Sequence, residues 1–302
     1  MSKLAIIAGP CSVDENNISE IVALDSIRLN NTKVIAGTRI VGLKSRSSVS
    51  ANSAMGIDFE TYMHNVTKYL AGMSHYSFKT PPSVKFIKQI MEHTDLVVAT
   101  EIMNPLIQLP HLVEIQDRLL IWNPSVNQLG WQILDTALFA KQNNWKLGIK
   151  NGKWTGPMSQ DQHNYTSIEK TWAGLVSYAK QATNDVYLIH RGFNTHEQTE
   201  YRNMPIHLIA ANTKTATQTK LFYDPSHALG PKLRHKIVTE TLTALQLKHE
   251  NTYLYDGLLI EVGSSKTDTD QHITHAELHY LVQELSKFRK LISPQDFAKG
   301  RL

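Results

Sequence analysis

Side chains that commonly bind metal ions follow three of the short apolar segments in this sequence. They are Cys11, which is the only cysteine of the chain, His227 and Glu261, with Asp268 a little beyond Glu261. A thiolate and an imidazole together with carboxylates suit Mn²⁺, Fe²⁺ or catalytic Zn²⁺ better than Mg²⁺ or Ca²⁺. The residues therefore predict a site for one divalent metal ion. The alternative at this point is that Cys11 is a small buried apolar side chain and His227 a histidine of the core.

Cationic side chains also follow short apolar segments, and the acidic residue Glu101 follows a further apolar segment. The cations are Arg39, Lys44, Arg46, Lys150, Lys153 and Arg191. Cations gathered in one place repel each other and are costly to desolvate, and bound phosphate groups relieve both costs. Residues 44–48, which include Ser47, offer donors for one phosphate monoester, and residues 150–153 offer donors for a second. Surface salt bridges would explain any one of these cations but explain all six poorly, so the pattern predicts two phosphorylated small molecules brought together.

The apolar segments that carry these side chains alternate with longer amphipathic stretches. The segments are short and continuously apolar, as in strands covered on both faces, at residues 4–8, 33–37, 96–100, 118–122, 146–150, 186–190, 220–224 and 257–262. Helical spacing is found between them at residues 57–73, 82–93, 128–142, 167–181, 232–247 and 275–291, and it is poor at 195–219. Eight strand–helix units predict an α/β fold, a (β/α)₈ TIM barrel, as a single domain over residues 1–302. Its active site would lie at the carboxyl ends of the strands. The fourth strand, which ends at Trp122, is the exception because no charged residue follows it.

The composition of the sequence limits which binding partners and which cellular compartment can be expected. The net charge of +4 comes without basic runs, which argues against a nucleic-acid binder. One cysteine excludes an internal disulfide and favours a cytoplasmic location. No apolar run reaches the roughly 18 residues that a membrane span needs, so no membrane partner is expected.

Several short motifs together resemble one enzyme family. In chain order they are residues 8–13 (AGPCSV), Arg39 with residues 44–48 (KSRSS), 100–103 (TEIM), 149–152 (IKNG), 190–192 (HRG), 201–203 (YRN), 224–228 (DPSHA) and 256–262 (DGLLIEV). The chain is similar to the family that contains 3-deoxy-arabino-heptulosonate 7-phosphate (DAHP) synthase and 3-deoxy-manno-octulosonate 8-phosphate synthase. The resemblance spans residues 4 to about 274.

The resemblance implies a barrel transferase that condenses phosphoenolpyruvate with a phosphorylated aldose and releases phosphate. It implies that the metal ligands are Cys11, His227, Glu261 and Asp268, with Asp270 as the alternative to Asp268. Phosphoenolpyruvate would be held by Arg39, Lys150 and Arg191, with Lys153 as a further cation. Glu101 would face the attacking water or the developing cation, Lys44 would protonate the new alkoxide, and Arg46 with Ser47 would bind the aldose phosphate. His227 and Lys44, with Glu101, are thus the expected catalytic residues.

One departure from the family pattern concerns the fourth strand. The family places an arginine after this strand to hold the phosphoenolpyruvate phosphate, whereas residues 121–128 (IWNPSVNQ) contain no cation. Lys153 is the expected substitute. A degenerate barrel that binds sugar phosphates without turnover is therefore one alternative function.

The spacing of Lys44 and Arg46 bears on the choice of aldose. One residue separates them, as in the heptulosonate branch, so erythrose 4-phosphate is expected and the reaction would open the shikimate pathway to aromatic amino acids. Arabinose 5-phosphate, the octulosonate-branch substrate, is the other alternative. The resemblance also implies a homo-oligomer, and the length leaves no room for a fused regulatory domain.

Overall fold

The computed structural model describes most of the chain, including all eight predicted strands. The described residues are 1–13, 17–40, 42–43, 64, 67–68, 71, 82–102, 105–115, 117–124, 129–151, 166–194, 199–264 and 270–302. The predicted site residues Lys44, Arg46, Ser47, Lys153 and Asp268 lie outside this part of the chain.

Eight parallel strands close into a barrel. They are β1 (Lys3–Gly9), β2 (Gly37–Ile40), β3 (Val97–Glu101), β4 (Leu119–Trp122), β5 (Lys146–Lys150), β6 (Val186–His190), β7 (Lys220–Tyr223) and β8 (Gly257–Glu261). Each strand pairs with the next in chain order, and β1 closes the ring by pairing with β8 from Ala5↔Gly257 to Gly9↔Glu261. The predicted (β/α)₈ TIM barrel is confirmed.

Helices follow the strands on the outside of the barrel. They are α1 (Ile18–Leu24), α2 (Pro82–His93), α3 (Pro105–Leu112), α4 (Gly130–Gln142), α5 (Thr166–Lys180), α6 (His207–Thr217), α7 (Pro225–Leu229), α8 (Ile237–Ala244), α9 (His275–Ser286) and α10 (Pro294–Ala298), with a 3₁₀ helix at Pro231–Lys236. Most predicted helices are found within a few residues, whereas the one predicted at 57–73 falls mainly outside the described residues. Helix α6 lies in the region where helical spacing is poor, and α1, α3, α7 and α10 have no counterpart among the predictions.

Strand β2 lies further along the chain than predicted. The prediction was 33–37, but the strand runs Gly37–Ile40, because Thr32–Lys33 pairs with Arg28–Leu29 in a hairpin. Asn30 and Asn31 form its turn with φ values of 48° and 63°, a region that Asn tolerates better than most residues. The shift brings Arg39 inside β2 instead of after it.

The core has two layers because successive side chains of a strand point to opposite sides. An inner cluster fills the barrel and includes Ile7, Ala99, Leu120, Ile189 and Phe222. A larger cluster lies between the strands and the surrounding helices. At the amino end, the strand Lys290–Leu291 pairs with β1, and Phe297 of α10 joins the inner cluster. The described helices include none that is both long and apolar enough to span a membrane.

Candidate active site

Five charged side chains reach the interior of the barrel at its carboxyl end. Because side chains alternate between the two faces of a strand, each of the five lies two residues beyond another residue that faces the barrel interior. They are Glu101, Lys150, Arg191, Asp224 and Glu261, after Ala99, Gly148, Ile189, Phe222 and Leu259. Five different strands therefore direct charged groups into one space, as the sequence predicts.

Arg39 lies at the centre of this space, fully buried. Its Nη2 is 3.3 Å from Glu261 Oε1, and its Nη1 is 3.8 Å from Asp224 Oδ1. Burial works to lower the pKa of Arg39, but the two carboxylates outweigh it and the pKa is raised. None of the three guanidinium nitrogens makes a well-formed hydrogen bond with a described residue, so the group has donors available for an anionic ligand.

Asp224 and His227 form a second contact at the start of α7. Asp224 caps the helix by accepting from the His227 backbone N–H at 3.2 Å, and its Oδ2 lies 2.8 Å from His227 Nδ1. Burial lowers the pKa of His227 well below its usual value despite the nearby carboxylate. The ring is therefore neutral, and with the proton on Nδ1 facing Asp224 its Nε2 lone pair faces Glu261 Oε1 at 3.7 Å.

Glu261 has a buried carboxylate whose two oxygens make no well-formed hydrogen bond within the described part of the chain. Burial raises its pKa, and Arg39 and the nearby Gln271 and Cys11 side chains oppose that effect. Cys11 is buried beside it. The thiol, the imidazole Nε2 and this carboxylate fit the donor set of a divalent transition metal. The described side chains alone do not form a group of three ligands spaced for a metal, and the predicted fourth ligand Asp268 is outside them.

Lys150, Glu101 and Trp122 form a third contact, between β3, β4 and β5. Lys150 Nζ lies 3.5 Å from Glu101 Oε1 and 5.2 Å from the centre of the Trp122 ring. The Trp122 indole N–H donates to Glu101 Oε1 at 3.3 Å. Burial lowers the pKa of Lys150, while the charge of Glu101 opposes the shift.

Arg191 follows β6 and is held through its backbone. Its N–H donates to Asn151 Oδ1 at 2.8 Å, and Asn151 Nδ2 donates to the carbonyl of Gly192 at 2.9 Å. Burial lowers the pKa of Arg191 to about 10, so the guanidinium stays charged near neutral pH. The next residue, Gly192, has a φ of 80°, and a Cβ there would lie 2.2 Å from the Asn203 carbonyl oxygen.

His190, in contrast, points away from the barrel interior, as its position next to Ile189 requires. The Tyr255 hydroxyl lies 2.8 Å from His190 Nδ1 and 2.6 Å from His207 Nδ1. Burial lowers the pKa of His190 well below its usual value and that of His207 to about 4. With both rings neutral, the hydroxyl donates to one and accepts from the other. His190, the first residue of the His-Arg-Gly motif, thus belongs to the outer layer.

The structure brings together the predicted site residues that it describes. They are Cys11, Arg39, Glu101, Lys150, Arg191, His227 and Glu261. Asp270, the alternative fourth ligand, is exposed. Sequence reasoning missed Trp122, although the same spacing of two after Leu120 could have placed it in the site.

Comparisons with known proteins identify relatives. The chain matches the family described as "DAHP synthetase I family" over residues 2–293. A crystal structure of phospho-2-dehydro-3-deoxyheptonate aldolase (DAHP synthase) from Thermotoga maritima is similar, with a TM-score of 0.64 and 18% identity, covering 95% of this chain and 69% of that one. A truncated 3-deoxy-D-arabino-heptulosonate 7-phosphate synthase from Thermotoga maritima gives a TM-score of 0.63 and 18% identity, covering 95% and 86%. No curated protein sequence matches significantly.

Proposed function

This chain belongs to the DAHP synthetase I family of condensing transferases, and we propose that it joins phosphoenolpyruvate to erythrose 4-phosphate with release of inorganic phosphate. The observation that carries the proposal is the set of three buried cations at the carboxyl end of the barrel, Arg39, Lys150 and Arg191, with Glu101 among them. Phosphoenolpyruvate carries a carboxylate and a phosphate, and charge-assisted hydrogen bonds from such cations are the usual way to bind them.

A divalent metal belongs to the proposal because the family is metal-dependent. Cys11, His227 and Glu261 would hold it, with Asp268 as the fourth ligand. A bound metal would supply Lewis-acid polarisation of the aldose carbonyl. Asp224 would keep His227 in the tautomer that presents Nε2. Mn²⁺, Fe²⁺ and Zn²⁺ all suit these donors.

The chain's own residues would act on the bond-forming step as follows. C3 of phosphoenolpyruvate attacks the aldehyde carbon of the aldose, and the carbonyl oxygen takes a proton from Lys44. Positive charge develops at C2, which Glu101 would face. Because Oε1 of Glu101 already accepts from Trp122 and pairs with Lys150, Oε2 is the atom that takes the proton from the water adding at C2. The bond between C2 and the bridging phosphate oxygen of the resulting hemiketal phosphate then breaks. The C2 hydroxyl passes its proton to the departing phosphate and becomes the ketone, and inorganic phosphate leaves towards the cations.

The aldose-phosphate side of the proposal rests on the family resemblance. Arg46 and Ser47 would bind the phosphate of the aldose, and Lys153 would supplement the cations that bind phosphoenolpyruvate. These residues, like Lys44, lie outside the described residues.

The direct test is phosphate release from phosphoenolpyruvate by the purified protein with Mn²⁺. Erythrose 4-phosphate and arabinose 5-phosphate are offered separately, beside an EDTA-treated sample, the same sample with Mn²⁺ restored, and a Cys11→Ala variant. We expect release with erythrose 4-phosphate only, lost on chelation, recovered with Mn²⁺, and reduced at least tenfold in Cys11→Ala.

Other outcomes would replace the proposal. Release with arabinose 5-phosphate alone would move the protein to the octulosonate branch. No release with either sugar, together with retained phosphoenolpyruvate binding in calorimetry, would make it a sugar-phosphate-binding barrel without turnover.

Further parts of the proposal concern the whole protein. We propose that residues 1–302 form one catalytic domain, that the protein is cytoplasmic and binds no nucleic acid, and that it is a homo-oligomer. Exposed apolar side chains at the start of and along α4, Leu129, Trp131 and Leu138, are a surface that self-association would cover. Sedimentation velocity of the purified protein tests the oligomer.

A further inference from the structure

Trp122 is the last residue of β4 and points into the barrel, fully buried. It pairs in register with Glu101 of β3 on one side and with Gly148 of β5 on the other. A Cβ at Gly148 would lie 3.1 Å from the Trp122 Cβ and 2.6 Å from Ile189 Cδ1. A side chain at Gly148 would therefore collide with Ile189 and crowd the Trp122 side chain at its Cβ.

The indole contacts both members of an ion pair. Its N–H donates to Glu101 Oε1 at 3.3 Å, and its ring lies 5.2 Å from Lys150 Nζ. Lys150 and Glu101 are 3.5 Å apart. The three groups thus form a closed triangle in which each contacts the other two.

Such a triangle matters because Lys150 is almost completely buried, with 3% of its side chain exposed. A buried ammonium ion loses its hydration, and the face of an aromatic ring replaces part of the stabilisation that is lost. The indole N–H holds the carboxylate on the side from which it pairs with the ammonium. Trp122 adds no charge, yet it limits where both charged groups can lie.

We propose that Trp122 is a positioning residue of the phosphoenolpyruvate subsite. It holds Lys150 and Glu101 in place at the carboxyl end of β4, the strand after which the sequence has no cation. The inference rests on the proposed function for the identity of the anion. A cation that is already fixed loses little conformational freedom when it binds an anion, so fixing Lys150 raises affinity for that anion.

The test uses two variants and a matched control. Trp122→Phe keeps a ring beneath Lys150 and removes the N–H, whereas Trp122→Leu removes both. Trp145→Phe is the control, because Trp145 is equally buried and its N–H donates to the Ile115 carbonyl at 2.6 Å, away from the ion pair. Calorimetry gives the Kd for phosphoenolpyruvate in the presence of Mn²⁺, and thermal unfolding reports folding of each variant.

We expect Trp122→Leu to raise the Kd for phosphoenolpyruvate about tenfold and Trp122→Phe about threefold, with KM for erythrose 4-phosphate unchanged within twofold. Trp145→Phe should lower the unfolding temperature as much as Trp122→Phe and leave the Kd within twofold. Wild-type affinity in both Trp122 variants, or an equal loss in the control, overturns the inference.

A second readout needs no substrate. The indole ¹H–¹⁵N resonance of Trp122, assigned by its loss in Trp122→Phe, should shift in Glu101→Gln while that of Trp145 does not. If the wild type neither binds phosphoenolpyruvate nor releases phosphate, the proposed function fails, and this resonance still decides whether Trp122 holds Glu101. If the Trp122 resonance does not shift in Glu101→Gln, the positioning role of Trp122 is overturned.

Discussion

Asp224 connects the cationic part of the site with the residues suited to a metal. One of its oxygens faces Arg39 at 3.8 Å and caps α7, and the other lies 2.8 Å from His227 Nδ1. Burial works to raise the pKa of Asp224, but the pairing with His227 and the charge of Arg39 outweigh it and hold the pKa of Asp224 well below its usual range. Asp224 is therefore an anion that orients an imidazole and compensates a buried guanidinium at once.

Removing that charge should weaken metal binding more than it weakens the fold. In Asp224→Asn the helix cap can persist, but His227 loses the partner that fixes its tautomer, and losses of this kind cost about 10- to 100-fold in metal affinity. We expect the Kd for Mn²⁺, measured by calorimetry, to rise by at least tenfold. Asp185→Asn is the control, since Asp185 pairs with Lys146 at the amino end of β5. Equal Mn²⁺ affinity in both variants would contradict the role of Asp224.

At the scale of elements, residues 262–274 connect β8 to α9 and contain the predicted ligand Asp268. Glu20 of α1 accepts hydrogen bonds from Ser264 at the start of this connection. At its end, Thr274 and Glu277 form a capping box on α9, and Arg234 binds both carboxylate oxygens of Glu277. Both ends of the connection are thus tied to neighbouring elements.

The Glu277 contacts predict a pH dependence of stability. The hydrogen bond from Arg234 is the main cause that lowers the pKa of Glu277 to about 2, below the value of about 4.3 in an unfolded chain. Its contribution is therefore complete above the unfolded value and is lost as the pH falls through about 2. Glu277→Gln should lose about 1 kcal/mol in urea unfolding at pH 7, because the pair is partly solvated.

The difference between wild type and Glu277→Gln should shrink when the same unfolding is measured at pH 2.5. Glu284→Gln removes a more weakly anchored pair with Lys287 and should cost less than 0.5 kcal/mol, as exposed pairs usually do. A difference that is constant from pH 7 to pH 2.5 would show that Glu277 contributes through its shape and not through its charge.

At the scale of the whole molecule, the charged site and the segment that closes the barrel lie at opposite ends of the barrel. The charged site is at the carboxyl ends of the strands, whereas the C-terminal segment closes the amino end. Phe297 packs against the rings of Tyr187 and Phe222 at centroid distances of 5.9 and 6.0 Å, and Lys146 Nζ lies 5.5 Å from its ring. This separation is the usual division of a TIM barrel into a stability face and a catalytic face.

Phe297→Ala should therefore lower stability and leave ligand binding intact. Truncating a fully buried phenylalanine costs about 3–5 kcal/mol, which chemical unfolding measures directly. The folded protein should bind phosphoenolpyruvate within twofold of wild type. Leu208→Ala, at a residue that is 59% exposed and lies outside the α4 surface, should change the free energy of unfolding by less than about 0.5 kcal/mol. A large loss of phosphoenolpyruvate affinity in Phe297→Ala would mean that the two ends are coupled.

The sequence by itself determined the barrel and predicted the charged residues that lie together at the carboxyl ends of its strands. Short, continuously apolar segments separated by helical stretches are a local pattern, and that pattern gives strand–helix units without knowledge of their contacts. Glu101, Lys150 and Glu261 could be assigned to the site because the end of a buried strand is also visible locally. The motif match then gave these residues roles, which remain predictions.

Only the tertiary structure decided which of these residues contact each other. Arg39 lies between Asp224 and Glu261, Trp122 joins Lys150 to Glu101, and β2 begins at Gly37. His190, beside Arg191 in the sequence, faces the helices instead of the site. The physical reason is that strand register and barrel closure set these contacts between residues distant along the chain, and a shift of one residue exchanges the inner face for the outer.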